Sequence, residues 1–212
     1  MLAQIRSAAV AVFLRYETAM NLTFESERLL FRPLADTDLD VSMALLTDPD
    51  VMKYVGGGTY TKDEVVEDLP IATRRCARGC IGIWCLIDRA TQEKLGTAIL
   101  LPLPIDEDDT NWDLVVGDEL PDCEIEIGYI LKKSAWGKGY ATEACKRLLR
   151  FAFEETPLAE VVATTDPENT ASQRVLEKSG LIYEGMRRAY AEQCPGFRLT
   201  REQWLESSAQ AV

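Results

Sequence analysis

Two glutamates, Glu124 and Glu126, stand in the run Glu-Ile-Glu-Ile-Gly-Tyr-Ile-Leu at 124–131, and a Trp-Gly-Lys-Gly-Tyr-Ala turn at 136–141 follows, leading into a helix-forming stretch. Alternation in an extended strand puts Glu124, Glu126 and Gly128 on one face, so the two carboxylates point together. A partly buried carboxylate beside a like charge has its pKa raised toward values useful for proton transfer. The plainer alternative is a pair of solvated strand glutamates. The chain has no histidine, which removes the commonest general base, the commonest zinc ligand and every Ser-His-Asp or Cys-His nucleophile. Any base is therefore a carboxylate, a water chain or something rarer, and no metal site is expected. The glycine turn suggests a second kind of chemistry. A helix N-terminus exposes unpaired N–H groups and the positive end of the macrodipole, and glycines allow close approach, so strand, Gly-x-Gly and helix together make an anion site suited to a pyrophosphate. Neither the three-glycine dinucleotide fingerprint nor the P-loop spacing is present.

The segment resembles motif A of the GNAT acyl-CoA acetyltransferase superfamily, whose Gln/Arg-x-x-Gly-x-Gly/Ala pattern falls on Trp136, Gly139 and Ala141, with Gly137 as the extra glycine. Tryptophan at the first position is a departure that points to the RimJ/RimL-like branch, which acetylates ribosomal-protein N-termini. Residues 169–180 and then 181–185 resemble the family's motif B helix and following strand. Residues 27–34 are similar to its first strand and 198–204 to its closing strand, so the resemblance covers 22–205.

That resemblance implies an α/β (α+β) fold with a central mixed, mostly antiparallel sheet of about six or seven strands flanked by helices. It implies acetyl-CoA (coenzyme A) as cofactor and direct attack of a neutral primary amine on the thioester, with a backbone N–H of the splayed strand near 129–131 polarising the carbonyl. Glu126, at the Glu-Ile-Gly-Tyr position, is the preferred base, often acting through water, with Glu124 second. Ser172 is the matching hydroxyl for protonating the leaving thiolate. Backbone N–H groups of Gly137, Lys138, Gly139, Tyr140, Ala141 and Thr142 are expected on the pyrophosphate. Tyr129, Ile130 and Leu131 are expected to pair with the pantetheine amides as a pseudo-strand, Asn169 to reach the pantetheine arm, and Trp136 to border the turn. Structural alternatives stand beside these roles: Asn169 as a helix cap, Ser172 bonding the backbone, Trp136 as core packing and Lys138 as a plain surface lysine.

The elements that must position these residues are legible from period and punctuation. Strands are predicted over 28–33, 81–88, 95–103, 124–131 and 161–164 and from 181 onward, with 81–88 and 95–103 forming a hairpin. Helices are predicted over 36–46, ended by Asp48-Pro49-Asp50, over 140–155 and over 170–179, with Gly180 as a stop. A capping box at Thr61 and Glu64 opens another that runs to 78, broken or kinked before Pro70. A long acidic connection spans 102–122.

At 212 residues and 47% apolar content, the chain fits one domain over 20–212 with an extension at 1–19. In that extension Ile5, Ala8, Ala9, Val12, Phe13 and Tyr16 follow helical spacing, and its apolar run is too short to span a bilayer. An upstream start codon or a natural helical extension would account for it. The charge of −12 argues against nucleic-acid partners and for cationic substrates, plain solubility being the other reading. Six cysteines without a Cys-x-x-Cys pair read as reduced thiols in a cytoplasmic protein. The expected activity is acetylation of a protein N-terminus or small amine by a monomer or homodimer. Alternatives are transfer of another acyl group such as succinyl, with Arg74, Arg75 and Arg78 facing the acyl end, a non-catalytic acyl-CoA-binding module, or a nucleotide-binding protein.

Overall fold

The computed structural model describes residues 20–210; the extension at 1–19 lies outside them. Eight strands make one sheet in the order β1-β2-β3-β4-β5-β6-β8-β7. They are β1 (Phe24–Glu25), β2 (Leu29–Pro33), β3 (Gly82–Asp88), β4 (Lys94–Pro102), β5 (Ile125–Leu131), β6 (Glu160–Thr164), β7 (Ile182–Ala189) and β8 (Glu192–Thr200). Every neighbouring pair is antiparallel except β5 and β6, which run parallel. The count exceeds the expected six or seven because the two-residue β1 and both arms of the terminal hairpin join the sheet.

The helices are α1 (Leu39–Leu46), α2 (Pro49–Met52), α3 (Lys62–Ala72), α4 (Tyr140–Glu155), α5 (Thr170–Lys178) and α6 (Arg201–Gln210). One stripe of α4, with Ala144, Cys145, Leu148, Leu149, Phe151 and Ala152, is buried. It packs on a sheet face where Phe24 stacks between Phe31 and Phe151, and Trp84 meets Phe151 edge-on. On the opposite face, Val41 and Leu45 of α1 and Leu69 of α3 bury Leu34, Cys85 and Ile87.

Three expectations are corrected. The helix over 61–78 stops at Ala72: the Thr61–Glu64 capping box starts it and Pro70 sits in its last turn, but Ala77 and Arg78 take left-handed φ values of 51° and 58° that no helix continues through. Asp48 does not merely end a helix; its side chain accepts from Asp50 N and caps α2, with Pro49 in the first turn. The closing strand ends at Thr200 because Thr200 and Gln203 form a second capping box, Gln203 N donating to Thr200 Oγ1 at 3.2 Å and Thr200 N to Gln203 Oε1 at 2.9 Å, and α6 begins there.

The sheet's ladder is interrupted at its middle. β4 pairs with β5 along its whole length, from Gly96↔Leu131 to Pro102↔Ile125, whereas β5 meets β6 at Glu126↔Val162 alone. Beyond that bridge, residues 128–131 have no ladder partner on the β6 side. Close β4–β5 approach there depends on Gly96, where a Cβ would fall 2.1 Å from the Ile130 carbonyl oxygen.

Candidate active site

Glu126 sits at that bridge and is 4% exposed. Its Oε1 accepts from Thr164 N at 3.1 Å and Thr164 Oγ1 at 2.8 Å, and its Oε2 from the Tyr190 hydroxyl. The carboxylate therefore takes over the β6 N–H at the point where the strand ladder ends. Burial pushes its pKa above the ordinary glutamate value, against the opposing hydrogen bonds of Tyr190 and Thr164 and the charge of Arg187.

Glu124 lies just outside β5 and is spoken for: Oε2 pairs with Arg187 and Oε1 with Arg198 Nη2 at 2.6 Å. Arg198 also holds Glu160 and Glu184. Burial pushes Glu124 upward, but the two arginines outweigh it and hold its carboxyl below the ordinary value. The raised pKa of Glu126 thus comes from burial and not, as the alternation suggested, from a neighbouring like charge.

The turn at 136–139 stands at the open end of the splayed strands. Gly137 and Gly139 take left-handed φ values of 71° and 81°, and Gly139 is the N-cap of α4. A Cβ at Gly137 would meet nothing within 4 Å, and at Gly139 only Arg28 Nη2 at 3.5 Å, so the backbone here faces open space. That cradle, set at the positive end of a sixteen-residue helix, fits the pyrophosphate of acetyl-CoA. Arg28 fixes the turn from β2's side, donating to the Lys138 carbonyl at 2.9 Å and pairing with Glu143, while its guanidinium lies over the Tyr140 ring. Tyr140 in turn donates to Asp88 Oδ2 at 2.5 Å. Thr142 opens on a groove of mixed charge, lined by Arg28, Lys146, Arg147, Arg150 and Lys178 together with Glu25, Glu27 and Glu143. Trp136 is 47% exposed and donates from Nε1 to the Leu131 carbonyl at 2.8 Å, so it clasps the turn to the end of β5 and is not core. Lys138 points to solvent.

On the helix side of β5, the Tyr129 hydroxyl lies 3.0 Å from Ser172 Oγ, and burial raises the phenol's pKa. Asn169 Oδ1 accepts from Ser172 N at 3.0 Å, so Asn169 caps α5. Ile130 and Leu131 continue the half-open strand. Around Tyr60, Glu64 and Asp68 of α3 and Asp108 and Asp109 of the acidic connection act together, and the phenol's pKa rises first through burial and then through their negative field.

Of the residues singled out from the sequence, Tyr129 and Ser172 meet, Glu126 on the other face of β5 meets Thr164 and Tyr190 instead, and the glycine turn is tied to the end of β5 through Trp136. Sequence reading missed Thr164 and Tyr190, which complete the Glu126 site, and Arg28, Glu143 and Asp88, which hold the turn. A tyrosine in the two-residue connection of a hairpin, Ala189-Tyr-Ala-Glu192, was the one available signal, since such positions ordinarily carry Asn or Gly. Arg75, offered at the acyl end only under the alternative of succinyl transfer, donates to the Gly79 and Ile83 carbonyls and covers the Trp84 ring. Among the described residues no group of acidic, cysteine or histidine side chains is arranged to hold a metal, and no helix is long and apolar enough to cross a membrane.

Known proteins resemble this chain in sequence and fold. The acetyltransferase (GNAT) domain family matches residues 28–182. FsC-acetyl coenzyme A-N(2)-transacetylase of Aspergillus fumigatus is 31% identical over 192 residues, 86% of this chain and 78% of that protein, and YkkB of Bacillus subtilis is 31% identical over 74% of this chain and 84% of its own. The fold superposes on a GNAT-family acetyltransferase from Bacillus anthracis with a TM-score of 0.67 at 23% identity, covering 85% of this chain and 99% of that one. A spermidine N-acetyltransferase from Vibrio cholerae, solved with CoA and spermine, gives 0.64 at 17% identity over 85% of this chain and 99% of that one. The matched span takes in both the glycine turn and the Glu126 strand, and the chain accordingly belongs to the GNAT acetyltransferase family, acyltransferases whose co-substrate is acetyl-CoA.

Proposed function

We propose that this protein acetylates a primary amine on a small cationic molecule, with Glu126 as the group that takes the amine's proton. The observation that carries the reading is a buried carboxylate with a raised pKa at the one bridge where β5 and β6 part. In a chain without histidine it is the buried carboxylate at the start of the opened strand edge. Acetyl-CoA supplies the acetyl group as a thioester. Residues 137–142 bind the pyrophosphate through backbone N–H groups, and the open edges of Tyr129, Ile130 and Leu131 align the pantetheine arm. A backbone N–H of that edge, aimed where negative charge develops, contributes about 3 kcal/mol of transition-state stabilisation. Ser172, hydrogen-bonded to Tyr129, passes a proton to the departing sulfur as it takes one from solvent. Glu124 orders Arg187 and Arg198 and is not the base.

The acceptor's charge is read from Glu64, Asp68, Asp108 and Asp109 around Tyr60, a field that draws in ammonium groups and repels acids. The spermine and aminoglycosides seen in solved relatives are acceptors of that kind. Arg75, one of the three arginines that succinyl transfer would want at the acyl end, is committed to backbone carbonyls and gives that transfer no support. A second reading, N-terminal acetylation in the manner of the RimJ/RimL-like branch, is favoured by Trp136 and by a 41% identical stretch of 63 residues shared with the ribosomal N-acetyltransferase-like YdaF of Bacillus subtilis. A cytoplasmic location fits the free cysteines.

Calorimetric titration with acetyl-CoA, then thiol release over a panel of polyamines, aminoglycosides and Ser- or Ala-initiated peptides, tests the reading. Thiol release with multiply charged small amines is expected. Release with peptides alone would select the second reading, and binding without release on any amine would overturn both.

A further inference from the structure

The tip of the β7–β8 hairpin is built in an unusual way. Ala189 pairs with Glu192, leaving Tyr190 and Ala191 as a two-residue connection in which both residues are left-handed, at φ 52° and 57°. That geometry belongs to glycine and asparagine, and side-chain-bearing residues avoid it. The tip is nevertheless held fast, Tyr190 N donating to the Pro104 carbonyl and Ala191 N to the Ile105 carbonyl, both at 3.0 Å. Arg188 adds an ion pair to Asp106 at 2.5 Å. The hairpin and the start of the acidic connection thereby brace each other, and the product of that bracing is one contact: the Tyr190 hydroxyl on Glu126 Oε2. A strained conformation that the surroundings over-determine, ending on a reacting group, points to function.

We propose that Tyr190 is a positioning residue for acetyl transfer, its hydroxyl holding the Glu126 carboxylate in the orientation that receives the amine's proton. The inference rests on Glu126 being the base. Two anchors act on the carboxylate from opposite sides: Thr164 fixes Oε1 and Tyr190 fixes Oε2. The charged and titratable groups that face this pair are Arg187 on β7, Cys194 on β8 and Asp109 of the acidic connection. Of these Arg187 favours the ionised carboxylate, as the Tyr190 bond does, while Tyr190 itself stays a neutral donor because burial and the adjoining Glu126 keep its phenol protonated.

The direction of the effect follows. A hydrogen bond to the ionised form lowers a carboxyl's pKa, so Tyr190→Phe, which keeps the ring and removes the donor, raises that of Glu126. The acidic limb of the kcat profile should move about one pH unit upward, the equivalent of one charge-assisted hydrogen bond. A fluorotyrosine at position 190, more acidic and a stronger donor, should move the limb downward. In Glu126→Gln the Tyr190→Phe change should add almost nothing, since a residue acting through another is silent once that other is gone. If Glu126→Gln keeps its rate, Glu126 is not the base, and the proposed mechanism falls together with this inference. If Glu126→Gln collapses the rate but Tyr190→Phe lowers kcat evenly with the limb unmoved, or the double variant is additive, Tyr190 is only structural and this inference alone fails. Should Tyr190→Phe not fold, the fluorotyrosine protein decides, an unmoved limb overturning the proposal.

Discussion

Of the turns in this protein that place consecutive or nearly consecutive residues in the left-handed region, two solve the problem in opposite ways. At 137–139 the positions are glycines; at 190–191 they are Tyr and Ala. The difference follows from which part of the residue is needed. At the first turn the proposed working surface is the backbone N–H groups, and an absent side chain lets a phosphate come close. At the second, the side chain is the working group, and the local strain of a non-glycine residue, of order 1–2 kcal/mol per position, is offset by backbone bonds to Pro104 and Ile105. Of these two turns, one is read by its missing side chains and the other by its improbable ones.

The largest effect should come from breaking the first turn. Gly139→Val puts a β-branched residue at φ 81° and fills the open face of the cradle. Acetyl-CoA affinity is expected to fall by about 100-fold or more, nearly 3 kcal/mol, while the circular dichroism and the melting of the sheet stay near those of the parent. Affinity within a few-fold of wild type would show that the pyrophosphate binds elsewhere. Next in size is Glu126→Gln, with an expected loss of about 10²–10⁴ in kcat at neutral pH and an unchanged KM for acetyl-CoA. A matched rise in KM would mean that the residue shapes cofactor binding instead.

The contrast between contiguous and assembled sites also explains what the sequence made legible. The strand at 124–131, the turn and the helix at 140–155 are successive in the chain, and each follows from local rules: alternation, glycine conformation, an apolar stripe. The face of Glu126 followed from alternation as well. Its partners did not, because Thr164 and Tyr190 lie 38 and 64 residues away along the chain, and nothing local says that β6 will part from β5 after one bridge. Glu124 was read as a twin of Glu126 for the same reason: the arginines that neutralise it come from β7 and β8. The Thr200–Gln203 capping box was local and visible, and the resemblance to a closing strand masked it.

The two carboxylates should also reveal themselves through stability, with opposite signs. Glu124 is held below its ordinary pKa, so its pairing stabilises the fold above the unfolded-state value of about 4.3 and is lost as pH falls through the lowered folded value. Glu126 is held above its own, so its contribution is present below about 4.3 and declines as pH rises toward the raised folded value. Urea unfolding between pH 3 and 8 separates them. Glu124→Gln should be less stable than wild type by about 1–2 kcal/mol at pH 7, with the gap closing in acid. Glu126→Gln should gain on wild type as the pH is raised. Parallel curves for the three proteins would mean that neither carboxyl is perturbed.

The smallest effect sharpens the comparison between the turns. Ala191 is left-handed at φ 57° but, unlike Tyr190, its side chain makes no contact with Glu126; the tip needs only its backbone N–H on Ile105. Glycine keeps that N–H and removes the Cβ penalty, at the expense of a more flexible unfolded chain. The net gain should be about 0.5–1 kcal/mol, a rise in Tm of roughly 1–4 °C for a chain of this size. Activity should hold, because Tyr190 stays where Pro104 pins it. A gain in Tm with kcat intact separates the two halves of the tip, strain at 191 and function at 190; a fall in kcat alongside the gain would show that the stiffness of Ala191 is itself needed to keep the tyrosine on Glu126.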